Sequence, residues 1–157
     1  MKLLIMAVGS PRDREVASVI RDYETRAGRY FRLETLEVPP ASGVGADPRL
    51  IRAREADDLA RRLPDGLDTW ALTREGTAMT SHELADALGD MATYGHAGVV
   101  FVVGGAFGLD EAFVGRCKRA LSLSRMTLPH DLARLVLAEQ LYRAGTILRG
   151  EPYHKRR

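Results

Sequence analysis

GVVFVV (98–103), GGAFG (104–108) and LSLSRMTLPH (121–130) are the stretches whose reading decides the fold. The first has no polar residue at alternate positions, which is the pattern of a strand covered on both faces, as in a parallel sheet. The second empties that strand into a glycine-rich turn, where absent side chains let bare backbone N–H groups approach a ligand. In the third, Leu121, Leu123 and the alternating serines predict a further strand that runs on to Pro129 and a helix start. Ligands of open parallel sheets bind beyond the carboxyl ends of the strands. Gly98 to His130 is therefore the candidate binding region.

Working outward, Lys2 to Val8 predicts a first strand, and Pro11 the start of a helix carrying Val16, Val19, Ile20 and Tyr23, with Gly28 as its cap. Phe31 to Val38 predicts a second strand stopped by Pro39-Pro40. Asp47-Pro48 opens a helix with Ile51, Leu59, Ala60 and Leu63 as inner stripe and its acidic residues as its wet face. Thr69 to Thr73 predicts a third strand ending in the turn Arg74-Glu75-Gly76. Thr80 and Glu83 form a capping-box pattern for a helix with Leu84, Ala87, Leu88 and Met91 inside. Asp110 caps a short helix through Ala120, before the fifth strand. The alternation βαβαβαβαβ implies an α/β fold, a parallel sheet flanked by helices. The last helix, about Asp131 to Leu148, is apolar on more than one face, which predicts burial against the sheet and against a second subunit.

At 157 residues, with 45% hydrophobic and 28% charged residues, the chain has the size and composition of one soluble domain, 1–157. No apolar run reaches the length of about 18 residues needed for a membrane span, and the expected location is the cytoplasm. The lone Cys117 has no disulfide partner in the chain. The net charge of +2 conceals an asymmetry: residues 1–111 hold 13 basic and 18 acidic side chains, and residues 112–157 hold 10 basic and 3 acidic. Twenty of the 23 basic residues are arginine, whose planar fork suits phosphate pairing and base stacking, so a polyanion is the expected partner.

Three strand ends can converge on one pocket: Ala71-Leu72-Thr73, Val103-Gly104-Gly105 with Gly108, and Leu123 to Leu128. The dinucleotide fingerprint and the phosphate loop are both missing, which weighs against nicotinamide, flavin and nucleoside-triphosphate chemistry. The four histidines, His82, His96, His130 and His154, are far apart and form no metal-ligand pattern, so no metal is expected. Ser122 and Ser124 lack a nucleophile elbow. Tyr153 and His154 stand among cations in the tail EPYHKRR, a composition suited to stacking on a base and pairing with phosphate.

GGAFG, LSLSRMTLPH and LARLVLAEQLYRAGTILRGEPYH (132–154), in this order, resemble the RlmH family of ribosomal RNA methyltransferases. The similarity runs from KLLIMAVG through YETRAGRY and LEVPP to the PYH tail. The resemblance implies a SPOUT fold with a C-terminal trefoil knot, a homodimer, and S-adenosyl-L-methionine as donor for methylating N3 of a pseudouridine in large-subunit (23S) ribosomal RNA. By position it implies a cofactor pocket of Leu72, Gly104, Leu123, Ser124, Arg125, Met126, Thr127 and Leu128, with the Tyr153-His154 tail near the partner subunit's cofactor. Thr73 stands where relatives often carry an acid, and Ala106-Phe107 where a polar or proline pair is common. The imide N3–H must lose its proton, which nominates His154 as general base. Arg125, Arg134 or Arg143 would stabilise the developing anion, and Tyr153 would face the RNA. With no appended RNA-binding domain, recognition of a ribosomal particle by shape and phosphate contacts is expected. The rival readings are a non-catalytic RNA-binding module, supported by the same basic last third, and a metabolic α/β enzyme using another nucleotide.

Overall fold

The structure is a computed structural model and describes residues 1–42, 45 and 47–155. Five strands form one parallel sheet in the order β2-β1-β4-β3-β5. They are β1 (Lys2–Val8), β2 (Arg32–Val38), β3 (Asp68–Ala78), β4 (Gly98–Val103) and β5 (Arg119–Ser122). The connecting helices are α1 (Arg14–Ala27), α2 (Pro48–Arg62), α3 (Ser81–Thr93) and α4 (Glu111–Arg116); α5 (His130–Leu148) follows β5. A single 3-10 turn, Pro152–Lys155, closes the described chain.

Alternate residues of the central strands feed two separate cores. Leu3, Ile5, Val99, Phe101 and Val103 pack with Leu88 of α3 and Leu137 and Leu141 of α5. Leu4, Met6, Val8, Val100 and Val102 pack with Ala56 and Leu59 of α2 and Phe113 of α4. Burial on both faces explains why GVVFVV shows no alternation: all six residues are buried. β2 is an edge strand with a mostly exposed face, where Lys2 pairs with Glu34 at 2.8 Å.

Local chemistry sets most boundaries. α1 starts at Arg14 rather than at Pro11, because Asp13 accepts hydrogen bonds from the N–H groups of Glu15 and Val16 and is the true cap. α3 carries the complete capping box: Thr80 Oγ1 accepts from the Glu83 N–H at 3.2 Å, and Glu83 accepts from the Thr80 N–H at 2.7 Å. α4 ends at Arg116, four residues before the expected end, since the Cys117 backbone is extended. β5 therefore begins at Arg119, whose guanidinium lies 4.6 Å over the ring of Trp70.

Three expectations are corrected. β3 does not stop at Thr73: it loops out over Thr73 to Gly76 and rejoins β5, so that Leu72 and Thr77 both pair with Leu121. Gly76 permits this, because a Cβ there would lie 2.6 Å from the Ala120 carbonyl carbon. The acidic face of α2 is not wholly wet, since Glu55 is only 4% exposed. Likewise Ala60, expected on the inner stripe, is exposed, and Ala56 takes its place beside Leu59.

α5 buries Leu137, Ala138, Leu141 and Ala144 between α1 and α3. Leu132 and Val136, one turn apart, stay exposed, the latter at the rim of a cleft of about 270 Å³ that also reaches Met79, Leu84 and Leu123. Among the described residues, no helix is long and apolar enough to cross a membrane.

Candidate functional site

At the carboxyl end of β4, the chain turns sharply back through Gly105 and Gly108, which bridge each other, with the Gly108 N–H donating to the Gly105 carbonyl at 3.1 Å. Gly108 has a φ of +77°, a region that side chains disfavour. Gly104 is buried directly beneath the turn, where a Cβ would meet the Gly108 carbonyl carbon at 2.7 Å. Gly104 is thus required by the closeness of the backbone to itself, and Gly108 by its φ.

At the neighbouring carboxyl end of β3, the looped-out residues reach over to the segment leaving β5. Arg74 Nη1 donates to Thr127 Oγ1 at 3.0 Å. Glu75 is held by Arg74 Nε at 2.7 Å and by the Thr73 hydroxyl at 2.7 Å. These contacts, the Arg74 bond foremost, lower its carboxyl pKa to about 2. The Thr73 hydroxyl thus helps fix the carboxyl of Glu75 on the same bulge. Leu72 is half-buried at the point where the bulge begins.

Leu123 to Leu128 forms the third wall. Ser122 is 4% exposed; its hydroxyl donates to the Ser124 carbonyl at 3.1 Å, and Ser124 Oγ accepts from the Met126 N–H at 3.0 Å. Apart from these two contacts, the backbone from Ser124 to Leu128 makes no hydrogen bond to the described residues. A chain segment with free N–H and C=O groups, held at both ends, fits a flat heteroaromatic edge that needs donors and acceptors together. Arg125, Met126 (78% exposed) and Thr127 face outward, while Leu123, Ser124 and Leu128 are half-buried. The segment then crosses from the edge strand β5 to the side of β1, where a Cβ on Gly9 would lie 4.0 Å from His130 Nε2 and Arg12 donates its N–H to Asp131.

The structure therefore sets Leu72 beside the segment Leu123 to Leu128 through the Arg74–Thr127 bond, with Gly104 at the end of the strand adjoining β3. It does not gather the residues expected to face the RNA. Arg134 is a correction: its side chain is 7% exposed and is bound by Glu24 Oε1 at 2.8 Å and Glu37 Oε1 at 2.7 Å, so α1 and β2 consume its charge. Arg143 is half-buried and pairs with Glu139 one turn back. Tyr153 donates to Glu139 Oε1 at 3.0 Å, packs with its ring tilted against that of Tyr142 at 4.5 Å between centroids, and lies under the Arg143 guanidinium at 4.9 Å. Burial, followed by Tyr23 and Glu139, pushes the Tyr153 hydroxyl well above the usual range. Glu139, which holds Tyr153, lies nine residues beyond His130, about 14 Å along the helix axis, and its neighbour Gln140 shares a cleft with Leu123. The backbone of His154 belongs to the 3-10 turn, but its side chain lies outside what is described.

Sequence reasoning missed Glu55, Arg74 and the role of the looped-out β3. Arg74-Glu75-Gly76 reads as a turn in sequence, and only the double pairing of Leu121 reveals a bulge. Cys117 caps α4 with its Sγ 3.3 Å from the Phe113 carbonyl, and burial raises its thiol pKa, as suits an inert cysteine.

Comparison with known proteins follows the same lines. Residues 1–154 match the family described as "Predicted SPOUT methyltransferase". A protein of Gemmatimonas aurantiaca named "Ribosomal RNA large subunit methyltransferase H" is 44% identical over 155 residues, covering 99% of this chain and all of that one. Proteins of the same name from Limosilactobacillus fermentum and Bacillus pumilus are 38% and 39% identical over 159 residues, with the same coverage. Among solved structures, a protein described as a probable methyltransferase from Bordetella pertussis Tohama I superposes with a TM-score of 0.54 at 20% identity, over 91% of this chain and 95% of that one. TrmJ from Z. mobilis ZM4 gives 0.52 at 15%, over 92% and 70%. These two share the fold. The match over residues 1–154 and the full-length relatives place the chain in a family, and it belongs to the SPOUT methyltransferases of the ribosomal RNA large subunit methyltransferase H type.

Proposed function

We propose that this protein transfers a methyl group from S-adenosyl-L-methionine to large-subunit ribosomal RNA, at N3 of a pseudouridine, working as a homodimer on ribosomal particles in the cytoplasm. The observation that carries the donor is the segment Ser124 to Leu128, whose backbone is unpaired apart from the Ser124 carbonyl and the Met126 N–H and which is tethered to the β3 bulge at the carboxyl edge of the sheet. Leu72, Gly104 and Leu123 to Leu128 would hold the donor, which supplies an electrophilic methyl group when bound. Apolar Leu72, Leu123 and Leu128 would contribute apolar contact, and the free N–H and C=O groups would supply hydrogen bonds to it.

The remaining task of the chain is to place the RNA nitrogen in line with the methyl group and to handle one proton. Arg125 is the cation of the segment itself, exposed and without an ion-pair partner among the described residues, and it is assigned to stabilise the imide anion. Arg143 and Tyr153 are assigned to the RNA-facing side of the composite site, with His154 as the proton acceptor. Tyr153 is fixed against Glu139 near the middle of α5, and a site completed by the partner subunit's tail follows from the family resemblance. The exposed pair Leu132 and Val136 offers an apolar row for that partner. Arg134 has no part in this assignment.

Transfer of labelled methyl groups from S-adenosyl-L-methionine to ribosomal particles that lack the modification, followed by mapping of the methylated nucleotide, tests the reading. Wild-type protein should label one pseudouridine, and Arg125→Ala should lower the single-turnover rate by on the order of 100-fold. Donor binding without any transfer to ribosomal RNA would leave the protein a binding module and refute the proposal.

A further inference from the structure

Glu55 stands on the inner face of α2, 4% exposed, among the side chains of the second core. Its Oε1 accepts the Ala41 N–H at 3.1 Å, and its carboxyl makes no other hydrogen bond to the described residues. Directly above it is the glycine turn at the end of β4. A Cβ on Gly105 would lie 3.1 Å from Glu55 Oε2, 3.3 Å from Oε1 and 3.0 Å from Val8 Cγ1. Gly105 has no positive φ, so its lack of a side chain is explained by this contact and not by backbone conformation. On the other side, His130, the residue at which the Leu123–Leu128 crossing enters α5, is near enough to influence the carboxyl electrostatically.

A buried carboxyl with one hydrogen bond is an expensive way to fill space that a leucine or methionine would fill at less cost. Burial raises its pKa, Asp58 raises it further, and the Ala41 amide and His130 lower it. The net shift is upward, and the carboxyl keeps an acceptor toward Ala41. Its position spans the chain after β2, the turn after β4 and the helix after the β5 crossing.

We propose that Glu55 is a positioning residue for the methyl-donor pocket, propping the Gly104–Gly108 turn from below and tying it to the start of the Ala41 loop, without touching the donor. The proposal rests on the donor site assigned above. Leu123 to Leu128 forms one wall of that site and the turn forms another. Shifting the turn by the size of one methyl group is enough to misplace a bound donor.

Calorimetric titration of S-adenosyl-L-methionine into the full chain, thermal melting, and steady-state transfer to ribosomal particles test it with Glu55→Ala, Glu55→Gln, Gly105→Ala and the double variant. Glu55→Ala should weaken donor binding and raise the donor KM by about tenfold, with kcat at saturating donor within about threefold of wild type. Glu55→Gln keeps both an acceptor and a donor and should restore affinity to within about threefold. Gly105→Ala should weaken binding by about tenfold in the wild-type background and by at least about threefold less when Glu55 is alanine, because its methyl group then has room. Unchanged affinity in Glu55→Ala, a Glu55→Gln variant as weak as Glu55→Ala, or equal losses from Gly105→Ala in both backgrounds would each overturn the proposal. A wild-type chain that binds no donor would instead refute the donor site itself.

Discussion

Replacing Arg134 by methionine separates a structural from a catalytic arginine. The guanidinium gives Nε to Glu24 at 2.8 Å and Nη1 to Glu37 at 2.7 Å, and thereby joins α5 to both α1 and β2. The side chains of Arg134 and Glu24 are 7% and 11% exposed, whereas that of Glu37 is 41% exposed and also accepts from the Ser10 hydroxyl. Breaking a buried pair by removing one partner costs about 3–5 kcal/mol. The pair with the half-wet Glu37 is screened and adds at most about 1 kcal/mol. The lower end of the buried range is appropriate because Glu24 retains some contact with water, so the expected loss is about 3 kcal/mol, or a fall of about 6–12 °C in melting temperature for a chain of this size. Methionine preserves the packing of the aliphatic stem, and adding Glu24→Gln removes the stranded charge; the double variant should recover about 2 kcal/mol. Urea unfolding at fixed protein concentration measures both values, and single-turnover methyl transfer by the folded variant should stay within about tenfold of wild type. A variant that keeps its stability to within about 0.5 kcal/mol but loses transfer by more than about 100-fold would refute the structural assignment and return Arg134 to the RNA.

Gly145 of α5 faces Tyr30, and a Cβ there would lie 2.4 Å from the Tyr30 Cγ, so Gly145→Ala should destabilise by about 1–3 kcal/mol in thermal melting although alanine is the better helix former by about 1 kcal/mol. The carboxylates and the buried acid have opposite pH signatures. Glu37, lowered by the Ser10 hydroxyl and then by Arg134, contributes stability above its unfolded pKa that is lost as pH falls through its folded value, so Glu37→Gln should flatten the acid limb of the stability curve. Glu55, raised by burial, costs nothing below about 4.5, where both states hold the proton, and costs progressively more as pH rises from there to its folded value; Glu55→Gln should therefore gain stability relative to wild type above that window.

Much of the scaffold was legible because period and capping chemistry act locally. Lys2 to Val8, the unalternating strand at Gly98 to Val103 and the Thr80–Glu83 box all follow from neighbours within a few residues. What escaped depends on partners far along the chain. The β3 bulge is visible only against Leu121, and Gly76 looks like a turn residue until the Ala120 backbone is seen behind it. Glu55 reads as one acid among several on α2, and nothing local says that this one faces Gly105. Arg134 has the composition of an RNA-facing residue, yet the two acids that claim it lie 110 and 97 positions away. At the candidate site, the three strand ends followed from the general rule for parallel sheets, whereas the Arg74–Thr127 tether joining two of them did not. The long apolar helix was half legible: its inner side is packed as expected, and Leu132 and Val136 remain outside.

The backbone from Ser124 to Leu128, where Met126 is the residue whose amide has an acceptor among the described residues, also makes the segment its own reporter. Amide hydrogens that have no acceptor exchange with solvent at rates close to those of an unfolded peptide, while those of β4 exchange only when the sheet opens. The segment is fastened near its ends, by the Ser122–Ser124 bond on one side and the Arg74–Thr127 bond on the other. A ligand that takes up these amides therefore has little loop closure left to pay in entropy, and slowing of exchange along this short stretch is a direct readout of occupancy, independent of turnover.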